Sequence, residues 1–241
     1  MSANKACCSL PPVVSDYQPK GSIEKIDDLS VYFVGPKDAK KAVVVIYDIF
    51  GFHPNTKQFC DILGEKFNFR VALPDFFRGK PWDHTRMTPE DRPALMQWIT
   101  SVGSWDNTKP DLEKVKKHLS SSGSTDFGVV GFCWGAKMGV LATRDGSFSA
   151  ASLIHPSLLA DEDAELAEAP ILLIPSKDEP DLTKFVEILK KKSFGSKCSY
   201  HLFDDMHHGF AAARGDYNDP ANVKRTTEAI QLTGDFFQNN V

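Results

Sequence analysis

Cys133 lies two residues from a glycine on either side, in Gly131-Phe132-Cys133-Trp134-Gly135. A tight strand-to-helix turn that holds one side chain out at a strand end needs this spacing, because strand and helix touch where the two small residues sit. A thiol at a helix N-terminus gains thiolate character from the free N–H groups and the dipole, and a thiolate attacks acyl carbon. Such a nucleophile needs a base, and His208, in His207-His208-Gly209-Phe210, follows an apolar stretch late in the chain. The base in turn needs a carboxylate to fix its tautomer. Asp178, in Ser176-Lys177-Asp178-Glu179, follows Ile171-Leu172-Leu173-Ile174 and is the candidate, with Asp181 as the alternative. His155 is a rival base, but it precedes the acid position in the chain and is read as structural. His84 and His118 fall on polar faces and are read as solvated.

A fourth segment, Tyr47-Asp48-Ile49-Phe50-Gly51, follows a β-branched run. Its backbone is the candidate source of one oxyanion donor, the Ile49 N–H, and the Trp134 N–H is the second. Donors of this kind are worth ~3 kcal/mol each in the transition state. Asp48 ends the same strand. Facing the thiol, it would keep Cys133 partly protonated at rest; pointing away, it is an ordinary turn residue.

These residues need strand ends to hold them. Short strands are predicted at 29–34, 42–47, 69–73, 126–130, 149–154, 170–174 and 198–203. Helical spacing appears from Asn55 or Thr56 to Phe67, over 89–102 and 109–121, from near Trp134, and over 181–192 and 222–238. Alternation of buried-looking strands with amphipathic helices predicts an α/β fold: a mostly parallel central sheet with helices on both faces. Ligands bind such sheets at the carboxyl ends of the strands, which is where Cys133, Asp178 and His208 all fall. Their order matches that of α/β-hydrolases. The 75–88 loop, with Gly79, Pro81 and Trp82, reads as a cap over the site, and Trp82 is a candidate substrate contact.

The remaining composition narrows the class. The chain has 241 residues, of which 41% are hydrophobic, so one sizeable core is affordable without a second domain. Residues 1–20 read as an irregular lead-in and 21–241 as a single α/β-hydrolase domain. A net charge of −4 gives no basic face for nucleic acid. No apolar run is long enough for a membrane span or a secretory signal, so a cytoplasmic protein is expected. Five cysteines, an odd number, argue against a disulfide framework. Adjacent Cys7 and Cys8 have no further Cys or His at metal-ligand spacing. The alternative to catalysis is a small-molecule binder of the same fold, either non-catalytic or redox-responsive through Cys133 or the Cys7–Cys8 pair.

The chain resembles the dienelactone hydrolase family, and most closely its fungal members. The resemblance rests on Asp48-Ile49-Phe50-Gly51, Leu73-Pro74-Asp75-Phe76-Phe77, Gly131-Phe132-Cys133-Trp134-Gly135, His208-Gly209-Phe210 and Ala212-Ala213-Arg214-Gly215-Asp216. It runs from about residue 20 to the end. It implies a cysteine-dependent carboxylesterase or lactonase, acting on a small-molecule ester or enol-lactone without metal or cofactor, with Cys133, Asp178 and His208 as the triad. A Glu that contacts the resting thiol in bacterial members corresponds to Asp48. Those members also hold a substrate carboxylate with two arginines; Arg78 and Arg214 lie near the corresponding segments.

Overall fold

The computed structural model describes residues 10–241, so Cys7 and Cys8 lie outside the described residues. The sheet has eight strands: β1 (Ser22–Ile26), β2 (Leu29–Val34), β3 (Lys41–Ile46), β4 (Arg70–Pro74), β5 (Asp126–Phe132), β6 (Ala150–Ile154), β7 (Ile171–Ile174) and β8 (Ser199–Tyr200). Their order is β1-β2-β4-β3-β5-β6-β7-β8. The β1–β2 and β2–β4 pairings are antiparallel and all others parallel. From Ala42 to Ile46, and throughout β4, β6 and β7, every residue is buried. Each Val, Ile or Leu so buried contributes about 1.5–3 kcal/mol, which is why these strands read as unbroken apolar runs.

The helices are α1 (Pro54–Phe67), α2 (Arg92–Ser101), α3 (Trp105–Ser121), α4 (Trp134–Ala142), α5 (Asp161–Leu166), α6 (Thr183–Lys190) and α7 (Pro220–Asn240). α1 packs on α7 over one face of the sheet, while α3 packs on α4, α4 on α5 and α5 on α6 over the other. Local chemistry sets their ends. His53, rather than Asn55 or Thr56, caps α1, its Nδ1 accepting the Asn55 N–H at 3.2 Å; Asn55 and Thr56 are both buried inside the first turn. Ser104 caps α3, which therefore starts before the expected 109 and carries Pro110 inside. Strand β1 and the short helix α5 carry no pattern that sets them apart from loop, and both were unanticipated. β8 pairs over two residues only, shorter than the apolar stretch 198–203 suggested.

Because β4, β3, β5, β6, β7 and β8 run parallel, the loops that leave them open at one edge of the sheet. That edge gathers 47–51, 75–82, 133, 155–159, 175–179 and, beyond β8, 207–214. Sequence-distant polar residues meet there, on a scaffold whose rigidity comes from the apolar strands beneath.

Candidate active site

Cys133 is the hinge between β5 and α4. Its φ of 51° lies in the left-handed region, with ψ −113°. A non-glycine residue held there costs of order 1–3 kcal/mol and persists only where the surroundings impose it. Two glycines impose it. A Cβ on Gly131 would come within 2.2 Å of the Gly135 carbonyl oxygen, and one on Gly135 within 2.3 Å of the Ile46 carbonyl oxygen. Only glycine at both positions lets α4 start so close to β5 and β3. The Cys133 carbonyl then accepts the Ala136 and Ser157 N–H groups at 3.1 and 3.0 Å, locking the turn to the loop after β6.

His208 is buried, and its Nδ1 meets a carboxylate oxygen at 2.5 Å. That carboxylate belongs to Glu179, not to Asp178. The second Glu179 oxygen accepts the Ser176 N–H, so both ends of the group are fixed. Asp178 instead accepts the backbone N–H of His208 at 2.9 Å. The two adjacent acids hold one histidine, Glu179 by its ring and Asp178 by its main chain. An ionised carboxylate only accepts, so Nδ1 carries the proton and Nε2 is left as the basic nitrogen. Asp181, the other acid considered, is committed to the Thr183 N–H and hydroxyl at 2.9 and 2.6 Å.

His155 lies beside His208. Its ring is fully buried, stacked on Phe132 and edge-on to His208 with centroids 5.1 Å apart. Among the described residues neither of its ring nitrogens has a hydrogen-bond partner. Burial, followed by the charge of His208, holds its pKa well below the ordinary histidine range, so it is a neutral packing element at neutral pH.

The loop after β3 is tied down on all sides. Asp48 Oδ1 accepts the Phe50 N–H at 2.9 Å, and the Asp48 carbonyl accepts the Gly51 N–H at 3.2 Å. The Ile49 carbonyl accepts the Trp82 N–H at 2.9 Å. The Ile49 N–H is not used by these ties. Asp48 Oδ2 reaches across to the Ala213 N–H at 3.2 Å, joining this loop to the one that carries His208. Burial raises the Asp48 carboxyl above its ordinary range, opposed by the Phe50 N–H and by Arg214. Asp48 thus has a positioning task in full view. Replacing it with Asn keeps one acceptor and turns an NH2 against the second N–H donor, so Asp48→Asn is expected to lower turnover by about 10-fold. Alkylation of Cys133 should slow with it or stay level. Faster alkylation with slower turnover would instead indicate an anion tuning the thiol.

The Trp134 indole serves structure. Its Nε1 donates to the Gly103 carbonyl at 2.9 Å, and its buried ring packs on Tyr47 and Phe77. Its backbone N–H, first in α4, is the group available to chemistry. Trp82 supports the site from behind: its backbone holds Ile49, its ring packs on Trp98, and its Nε1 donates to the Arg86 carbonyl at 2.8 Å.

Arg78 is not at the site. Its guanidinium forms a fork on Asp111 at 2.6 and 2.9 Å and reaches Asp28 at 3.0 Å, clamping the loop after β4 to α3 and to the β1–β2 turn. The Asp111 side chain is only 8% exposed. Removing its partner strands that carboxylate, so Arg78→Ala is expected to cost about 1–2 kcal/mol of stability, moderated by the solvent around Arg78. Thermal unfolding reads the loss, and KM for an ester should stay within about 2-fold. Arg214, by contrast, is 3% exposed and lines the same narrow pocket as Cys133, His208, Asp48, Ile49 and Phe50. Among the described residues no group of three or more His, Cys, Asp or Glu side chains is arranged to hold a metal ion, and no helix is long and apolar enough to cross a membrane.

Comparison with known proteins agrees with this geometry. A model of the dienelactone hydrolase family matches residues 29–241. An AIM2 family protein of Schizosaccharomyces pombe is 33% identical, with 90% of each chain covered. A dienelactone hydrolase of Gibberella moniliformis is 26% identical over 81% of this chain and 78% of its own. The crystal structure of a dienelactone hydrolase from Anabaena variabilis, 15% identical, superposes with a TM-score of 0.65 over 93% of this chain and 98% of that one, a likeness of fold. The elbow at Cys133, the eight-stranded sheet beneath it and the family match along nearly the whole described chain lead to one conclusion: this chain is an α/β-hydrolase-fold enzyme that belongs to the dienelactone hydrolase family.

Proposed function

We propose that the protein hydrolyses small activated carboxylic esters or enol-lactones by acyl transfer through Cys133, with His208 as the base and Glu179 as the acid that orients it. The observation that carries this reading is the shared pocket. A nucleophile held at a strained elbow and a base whose Nδ1 is fixed by a carboxylate line one narrow pocket.

The Cys133 thiol passes its proton to His208 Nε2, and the resulting thiolate adds to the carbonyl carbon as the displaced electron pair moves to oxygen. The N–H groups of Ile49 and Trp134 stabilise that oxyanion. The intermediate collapses, the C–O bond breaks, and the alkoxide or enolate leaves with a proton from His208. Water, deprotonated by His208, then attacks the thioester; the C–S bond breaks, and a carboxylic acid and the thiolate result. A lactone yields its ring-opened acid by the same steps. Thiolate is a better leaving group than an amide nitrogen, so the intermediate formed from an amide reverts, and peptide bonds are poor substrates.

A panel of aryl esters, enol-lactones, thioesters and aryl amides tests the proposal. Turnover is expected for the first three classes and not for the amides. An enzyme inert towards every ester, lactone and thioester in the panel would overturn it.

A further inference from the structure

Both peptide groups of Cys133 are held by one segment. The Cys133 N–H donates to the Ile154 carbonyl at 3.3 Å, and the Cys133 carbonyl accepts the Ser157 N–H at 3.0 Å. The segment that straddles the nucleophile is itself strained. His155 and Leu158 have φ of 37° and 65°, in the left-handed region where a side chain is costly. Such a conformation persists only where its surroundings impose it. At the start of the segment, β6 and the bond from the His155 N–H to the Ile174 carbonyl, at 2.8 Å, do so. The far end runs through Leu158, Leu159 and Ala160, all only half-buried, into α5, a helix of six residues. A helix that short is not stable alone in water and takes its place from tertiary contacts.

A buried ion pair supplies that place and leads back to the nucleophile. Lys137 lies on α4, one helical turn after Cys133. Its Nζ meets both Asp163 oxygens of α5 at 2.5 Å, and the two side chains are only 16% and 4% exposed. Asp163 Oδ2 also accepts the Ala160 N–H at 2.8 Å, and the Asp163 N–H donates to the Ala160 carbonyl at 2.9 Å. The contacts therefore close a ring. From Cys133 it passes along α4 to Lys137, across to Asp163, back through Ala160 to Ser157, and onto the Cys133 carbonyl. Charge-assisted bonds with little solvent around them are short, directional and weakly screened, so this ring is stiff.

We propose that Lys137 and Asp163 are positioning residues for the nucleophile: their ion pair holds the strained 155–160 segment against the Cys133 peptide groups and so keeps Cys133 in the pocket it shares with His208. This rests on the acyl-transfer reading above. With the pair broken, residues 156–160 relax towards ordinary backbone angles, and the Ser157 N–H draws away from the Cys133 carbonyl. The elbow then loses one of the bonds that impose its φ of 51°. The chemical step suffers, because a small misplacement of a reacting group is costly. Substrate binding is spared, because neither side chain lines the pocket.

The test compares wild type with Lys137→Met, with the double variant Lys137→Met/Asp163→Leu and with Lys184→Met, using p-nitrophenyl acetate, thermal unfolding and the pH profile of Cys133 alkylation. Lys137→Met is expected to lower kcat about 10-fold with KM within about 2-fold. The midpoint of its alkylation rate against pH should move up by about half a unit, as the sulfur draws away from the helix terminus and His208. It also loses stability, because the Asp163 charge is left buried and unpaired. The double variant removes both charges, so its melting temperature returns towards wild type while kcat stays about 10-fold down. Lys184→Met breaks the pair that α5 makes with α6, Lys184 Nζ to Asp161 at 2.6 Å, and should leave kcat within about 2-fold. If kcat is unchanged in Lys137→Met, recovers with stability in the double variant, or falls equally in Lys184→Met, the pair serves packing alone and the proposal is overturned. If Lys137→Met does not fold, the double variant decides. A wild-type chain inert towards the acetate counts against the acyl-transfer reading instead, and the alkylation profiles still read the clamp.

Discussion

Cys133→Ala is expected to reduce aryl-ester turnover by about 10⁴-fold or more, the scale seen when a nucleophile is removed from a triad that works as a unit, while the chain remains folded. The reasoning joins backbone to chemistry. The elbow is imposed by Gly131 and Gly135 and by the bonds from Ala136 and Ser157 to the Cys133 carbonyl, none of which involves the sulfur. Alanine has the same Cβ and meets the same φ of 51°, so the strain is unchanged and the melting temperature should move by only a few degrees. Glycine at 133 would relieve the strain and also abolish turnover, separating the two roles of the position. Alkylation gives an independent readout. Burial pushes up the thiols of Cys60 and Cys198, and neither lines the pocket. A limiting alkylating reagent should therefore modify Cys133 before either of them. A folded Cys133→Ala protein with wild-type turnover would remove the nucleophile from the proposal altogether.

The parts of this site that could be read from the sequence are those governed by local physics. The elbow is a five-residue pattern with a steric cause, so Gly131, Cys133 and Gly135 were recognisable before any tertiary contact was known. The strands beneath it were legible because burial on both faces leaves continuous apolar runs. The proposed order of nucleophile, acid and base came from the strand ends at which Cys133, Asp178 and His208 fall. What escaped the sequence depends on how a turn closes or on contacts between distant segments. Arg78 and Arg214 are both arginines near the site in sequence; only the position of Asp111 on α3 makes the first a clamp. Asp48 lines the pocket with Cys133, and its bond to the Ala213 N–H, 165 residues away, is one that no local spacing announces. The contact of Leu10 with Arg214 spans 204 residues and has no local signature.

The acid is the sharpest case, because Asp178 and Glu179 are adjacent and both bind His208. Sequence spacing cannot separate two neighbouring carboxylates; the turn after β7 does. The Ser176 hydroxyl accepts the Asp178 N–H at 3.3 Å, and Glu179 folds back over the Ser176 N–H towards the ring. Conservative substitutions distinguish the two roles. In Glu179→Gln the carbonyl oxygen goes to the Ser176 N–H, which turns the amide NH2 towards His208 Nδ1. That nitrogen must then accept, the proton moves to Nε2, and the base is lost in the tautomer that cannot deprotonate a thiol or water. A fall in kcat of about 10²- to 10⁴-fold is expected, with KM little changed. Asp178→Asn keeps an oxygen for the His208 N–H, so its expected loss is below about 10-fold and appears partly as reduced thermal stability. Both variants are read by aryl-ester kcat and by thermal unfolding. If Asp178→Asn collapses kcat while Glu179→Gln does not, the ring of His208 takes its orientation from Asp178 during turnover, and the assignment drawn from the sequence stands over the one drawn from the resting geometry.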